Sequence, residues 1–221
     1  MVFQMADIAF NSVGDSTQNQ RRVPRLVLAS QSPRRIDLLH ALGLRFEVIP
    51  SQADETIEPG EDPAAMVRRL AQKKADEVAT RLSEVGSESV VLGADTTVAL
   101  DGESLGKPES REEVVKVLRR LSGKSHEVYT AVALICLPRK EVLLDHQVTR
   151  VYFRELRDAE IRAYAQLDEP MDKAGSYALQ GVASCFVEKI EGCYTNVIGL
   201  PIPLTVSMLR KTGMRVLDIP T

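Results

Sequence analysis

The chain has 221 residues, with 28 Lys and Arg against 31 Asp and Glu, for a net charge of −3. A mildly acidic chain lacks the basic face that sequence-blind nucleic-acid binding needs, although a small basic pocket for a small anion stays possible; 44% apolar residues suffice for a core and are too many for a disordered chain. Three cysteines without C-x-x-C spacing argue against a disulfide scaffold or a cysteine zinc site and fit a reducing cytosol, and no apolar stretch approaches the ~18 residues of a membrane span.

At roughly 150 residues per domain, this length predicts one large domain or one domain with two lobes. Residues 1–24 are polar after the first ten, lack a continuous apolar segment and are interrupted early by Asp7, so they read as a loose N-terminal extension, not a secretory signal. Order is expected from Arg25. LVLAS reads as a buried strand, and the following helix has Ser32 at its N-cap, Pro33 at N1 and Gly43 as its stop. Residues 45–50 read as a second strand, followed by a loop and a long helix over 63–82. VVLGAD, residues 90–95, is nearly all apolar or small, the pattern of a strand covered on both faces, and Asp101-Gly102 predicts a hairpin turn.

Ser110 and Glu113 have capping-box spacing and open a helix that Gly123 closes. Residues 126–137 and 141–154 read as adjacent antiparallel strands, and about 158–167 as a short helix. Residues 168–184 are loop-rich; CFVEKI and YTNVIGL read as strands around Glu191-Gly192; residues 203–212 form a last helix. Mingled helices and strands with hairpin neighbours predict an α/β architecture on a mixed sheet.

Standard signatures fail. The loop ending Gly106-Lys107-Pro108 is one residue too short for a phosphate loop and has Pro108 in place of Ser or Thr, while Leu118 stands where a loop ending at Lys124-Ser125 needs its first glycine. No G-x-G-x-x-G follows a strand, no G-x-S-x-G is present, and the three histidines are scattered.

Five weaker signals survive. Ser30, Ser32, Arg34 and Arg35 stand between a strand and a helix start, where N–H groups and guanidinium could take a phosphate together; two solvated arginines on a surface turn is an equal reading. Lys74 falls on the apolar face of the long helix while Lys73 points away, so Lys74 must snorkel, pair or meet an anion, and snorkelling is the commoner outcome. Asp95 closes an apolar strand, where it could bind a metal or take a proton from water, or simply cap a turn. Lys107 is held between Gly106 and Pro108. Gln180 ends a glycine-bearing loop, and its amide matches the edge of a base as well as it suits a satisfied surface residue. Together, several cations, several carboxylates and one amide are the parts needed to hold a nucleoside triphosphate and a divalent metal.

SQSPRR, SQADE, RLAQKKA, GADTTV, LGKP, LSGKSHEVYTAV and EPMDKAGSYALQG, in that order from about Leu26 to about Met208, closely resemble the Maf family of nucleoside triphosphate pyrophosphatases. The resemblance implies an α/β, two-lobed fold over residues 25–215 around a curved mixed β-sheet flanked by helices, similar to the inosine triphosphate pyrophosphatase fold. It also implies a cytoplasmic, often homodimeric enzyme that needs Mg2+ or Mn2+. By the same resemblance, Asp95 is the proton acceptor, and Glu55 helps hold the metal or water. Lys74 and Lys107 hold phosphates. Arg34, Thr96 and Gln180 bear on base choice, and Ser30 and Arg35 contact phosphate. Gln180 matches the subgroup acting on dTTP and UTP. The alternatives are a pyrophosphatase for 7-methylguanosine triphosphate or other modified nucleotides, and a nucleotide-binding regulator of septum formation without turnover. Thr97 and the segment 182–184 depart from the usual family residues; the first is expected to affect packing and the second the pocket wall.

Overall fold

The computed structural model describes residues 24–216 apart from positions 59, 85 and 87; of the expected N-terminal extension, only Pro24 falls among them. A seven-stranded mixed sheet carries the fold, with strand order β2-β1-β3-β5-β6-β7 and β4 paired to β3. β1 (Arg25–Leu28) lies parallel to both β2 (Phe46–Val48) and β3 (Ser89–Leu100). β4 (Glu103–Leu105), β5 (Ser125–Cys136), β6 (Glu141–Phe153) and β7 (Val187–Glu191) join antiparallel. The turn from β3 to β4 is the expected Asp101-Gly102, and both residues have positive φ, as the twist of a two-residue hairpin loop demands.

Among the described residues six α-helices flank the sheet: α1 (Pro33–Ala41), α2 (Pro63–Ser83), α3 (Arg111–Leu121), α4 (Asp158–Tyr164), α5 (Tyr194–Ile198) and α6 (Ile202–Lys211). α2 covers one face of β1, β3 and β5, with Val67, Ala71 and Val78 against Val91 and Ala133. On the opposite face α1 and α6 pack Leu39, Met208 and Leu209 against Leu28, Leu92 and Leu134. The far ends of β3, β5 and β6 belong to a separate core, where Val98, Val128 and Phe153 meet α3 and α4 through Leu118 and Ile161. The long strands thus serve two packing centres, and the cleft described below opens where one gives way to the other.

Four expectations need correction. YTNVIGL is helix, not strand: α5 replaces most of it, because Asn196 donates to the Val128 carbonyl at 2.8 Å and receives Thr130 Oγ1 at 2.9 Å on its own carbonyl, and Gly199 then ends the turn with φ +123. These tertiary bonds override the β-branched preference of Thr195, Val197 and Ile198. In CFVEKI the strand begins only at Val187, after a 3-10 turn over Val182–Phe186. Asp95 does not end its strand, since β3 runs on to Leu100; Asp95 lies instead just past Leu92, the last residue of β3 paired to β1. At α3 the Ser110 hydroxyl does accept from Glu113 N–H, but the Glu113 carboxylate reaches back to Glu109 N–H, one residue earlier than a capping box requires.

Candidate active site

The site begins with a close crossing. A Cβ on Gly93 would stand 2.3 Å from the Ala71 carbonyl oxygen, so α2 lies directly on the backbone of β3. Side chains alternate along a strand, so Asp95 shares the face of Gly93 and points toward α2. One helical turn past Ala71 is Lys74. Its ammonium donates to Asp95 Oδ1 at 2.8 Å and lies 2.8 Å from Glu55 Oε2, which the loop after β2 supplies. Lys74 therefore does not snorkel: at 8% exposure, with both carboxylates at its tip, it pairs. Burial raises the Asp95 pKa above the ordinary carboxylate value, with the Lys74 and Arg35 charges opposing that rise. Lys73, on the other side of the helix, reaches Asp54 at 3.2 Å.

On the opposite face of β3, Thr96 meets the start of α1. Arg35 is buried, not solvated. It donates Nη2 to Thr96 Oγ1 at 3.1 Å, Nη1 to Ser30 Oγ at 3.2 Å and Nε to the Gly199 carbonyl at 2.8 Å. Burial lowers its pKa, and Asp95 is the largest charge opposing that shift. Thr96 lies directly across from Thr130 on β5, hydroxyl to hydroxyl at 2.9 Å, and Thr130 in turn binds the Asn196 carbonyl. Ser32 occupies the N-cap of α1, but its side chain caps nothing; Ser30 Oγ accepts the Ser32 N–H at 3.2 Å. Arg34 is half-buried and faces Asp172 at 3.9 Å.

A cleft of about 620 Å³ joins these groups, a size common among small-ligand sites. Ser30, Arg34, Arg35, Glu55, Lys74, Asp95, Thr96, Lys107 and Gln180 all line it. Lys107 follows β4, and Gln180 follows the loop after α4; both are exposed and make no side-chain hydrogen bond to another described residue. The lining carries five cationic side chains, with Lys173 as the fifth, against the carboxylates of Glu55, Asp95 and Asp172. Such a surplus favours a polyanion. Among the described residues no three His, Cys, Asp or Glu converge as a metal cage. Asp95 and Glu55 nonetheless converge on one ammonium, and a magnesium site built on one or two carboxylates plus substrate phosphates needs no more.

Sequence reasoning missed several supporting groups. Thr130 and Asn196 are fully buried polar residues behind Thr96; a lone Thr between Tyr129 and Ala131 marks the first in the sequence, and nothing there marks the second. Thr97 also lines the cleft, beyond the packing role expected of it, whereas Val182, Ala183 and Ser184 do not line it and therefore do not form its wall.

The fold and cleft define an α/β protein with a cationic cleft beside two carboxylates that share one ammonium. The profile of the family described as Maf-like protein matches residues 25–212. This chain belongs to the Maf family. It is 49% identical over 192 residues to the dTTP/UTP pyrophosphatase of Pelotomaculum thermopropionicum, covering 87% of this chain and 98% of that one. It is 44% identical over 189 residues to the dTTP/UTP pyrophosphatase of Caldicellulosiruptor saccharolyticus, covering 86% and 95%. A solved nucleoside-triphosphatase / dITP/XTP pyrophosphatase from Mycobacterium abscessus aligns at 17% identity and TM-score 0.37, over 58% of this chain and 72% of that one; a likeness this distant has no bearing on the site.

Proposed function

We propose that the protein hydrolyses dTTP and UTP between the α and β phosphates, giving the nucleoside monophosphate and pyrophosphate. The observation that carries this reading is the Lys74 ammonium held between Asp95 and Glu55 at the floor of a cationic cleft, in a chain close to named dTTP/UTP pyrophosphatases.

The triphosphate, with about four negative charges near neutral pH, enters among Arg34, Arg35, Lys74 and Lys107. Asp95 holds a water and takes its proton as the oxygen attacks the α phosphorus. The bond from the α phosphorus to the bridging oxygen breaks, and the pyrophosphate leaves with that oxygen. Lys74 and Lys107 offset the charge growing on the leaving group, and the Ser30 and Thr96 hydroxyls keep the Arg35 guanidinium aimed at a phosphate. Gln180 meets the carbonyl and N–H edge of uracil or thymine.

A Mg2+ or Mn2+ ion held by Asp95 and Glu55 belongs to this proposal; when bound, it neutralises phosphate charge and polarises the phosphoryl oxygens. A homodimer and a cytoplasmic location are part of the same reading. No described helix is long and apolar enough to cross a membrane. The test is pyrophosphate release from UTP, dTTP, CTP, GTP and 7-methylguanosine triphosphate, with and without Mg2+. Release greatest from dTTP and UTP supports the proposal. Tight nucleotide binding without release would instead make the protein a regulator.

A further inference from the structure

Gln180 sits on a turn whose support comes from one carboxylate. Gly181 N–H closes back on the Ala178 carbonyl at 3.1 Å, leaving Leu179 and Gln180 as the two central residues. Immediately beyond, Val182 N–H donates to Glu169 Oε2 at 2.9 Å and Ala183 N–H to Glu169 Oε1 at 3.3 Å. The same carboxylate accepts the Tyr164 hydroxyl at 2.8 Å, and Tyr164 is 2% exposed at the end of α4. Glu169 presses so closely on the turn that a Cβ at Gly181 would stand 2.2 Å from its Oε2. The turn that presents Gln180 to the cleft therefore hangs on Glu169, and Glu169 is itself braced by a buried tyrosine. Glu169 does not line the cleft.

We infer that Glu169 is a positioning residue for base selection: its carboxylate clamps the turn at 178–183 so that the Gln180 amide faces the base at a fixed height and angle. The inference rests on reading Gln180 as the group that meets the base. A clamp of this kind acts on selectivity, because phosphate-binding groups on α1, α2 and β3 are held by other contacts. Loss of the clamp lets the amide swing, and a hydrogen bond to a base edge is worth enough that about tenfold selectivity goes with it.

The experiment measures binding of α,β-methylene UTP and α,β-methylene GTP by calorimetry to the full chain, to Glu169→Ala, to Gln180→Ala and to the double variant. The expected result is a wild-type preference for the uridine compound that Glu169→Ala cuts about tenfold, with no further loss when Glu169→Ala is added to Gln180→Ala. Amide exchange should quicken at Val182 and Ala183 in Glu169→Ala. Glu169→Gln keeps one acceptor for one of the two N–H groups and should fall between; it also carries the test should Glu169→Ala not fold. A preference that survives in both Glu169 variants, or losses that add to those of Gln180→Ala, overturns the inference alone. A wild-type protein with no preference overturns the reading of Gln180, and the inference falls with it.

Discussion

The Lys74 ammonium donates to Asp95 Oδ1 at 2.8 Å, joining a helix to a strand across 21 positions of sequence. Both groups are buried, and a buried ion pair is weak evidence for stability, because desolvation offsets much of its attraction. In the proposed reaction the pair is a held reagent. Glu55 stays at the same ammonium from the exposed side, so the cation keeps a partner if Asp95 turns to water.

Asp95→Asn tests that view. Asparagine keeps the shape and can still accept from Lys74, but it cannot take a proton from water. Turnover should drop by about 10²–10⁴-fold, the usual worth of a general base. Folding should survive, since the charge removed was an expensive one to bury. The checks are pyrophosphate release and the urea midpoint of the variant. Near-normal release would remove Asp95 from the chemistry.

Much of this arrangement can be read from local sequence, and the reason is local chemistry. Pro33 and Gly43 bracket α1, Asp101-Gly102 makes its hairpin, and the apolar spacing of α2 places Lys74 inward. What sequence alone does not give is the outcome of long-range competition. Tyr194–Ile198 has the composition of a strand, yet Asn196 finds better partners on β5 as part of a helix. Lys74 could have snorkelled, and only the position of Asp95 and Glu55 decides that it does not. Glu169 carries no signal of its own, because two of its three donors are backbone N–H groups that no composition records, and the third, the Tyr164 hydroxyl, meets it only in the folded chain.

Gly93→Ala probes the crossing of α2 over β3. The added methyl meets the Ala71 carbonyl oxygen at 2.3 Å and Ala75 N at 2.8 Å, and both are backbone atoms with no rotamer to change. The helix must lift. Overpacking of this kind costs about 1–3 kcal/mol, and the same displacement draws Lys74 away from Asp95. Stability and turnover should therefore fall together, read by urea unfolding and by pyrophosphate release. A variant with wild-type values for both would mean that the contact relaxes without moving the helix.

Gln180→Glu addresses the base edge. The carboxylate puts a second acceptor oxygen where the amide had its NH2 donor, and it adds negative charge where the ring carbonyl should lie. The expected result is a fall of about 10–100-fold in kcat/KM for UTP and dTTP, with little change for inorganic tripolyphosphate. Equal losses for UTP, GTP and tripolyphosphate would show that position 180 does not read the base.

His126 sets a pH dependence that has nothing to do with the carboxylates. It is 2% exposed between the rings of Phe153 and Tyr177, its Nε2 lies 2.8 Å from the Tyr177 hydroxyl, and its Nδ1 has no partner. Burial pushes its pKa from the ordinary 6.5 to about 4. Between those two values the unfolded chain binds a proton that the native protein refuses, so the stability is fully present above pH 6.5 and is lost as pH falls toward 4. The shift corresponds to about 3 kcal/mol at 1.36 kcal/mol per unit. Acid also protonates carboxylates such as Glu160, held well below the usual range by Arg154 and Arg157, and that loss has the same sign. His126→Gln separates the two, because it removes only the imidazole. Urea unfolding at pH 7 and pH 4.5 should show a smaller pH penalty in the variant than in the wild type. Equal penalties in the two proteins would mean that the native state admits the proton after all, through movement of Tyr177 and the loop that carries Gln180.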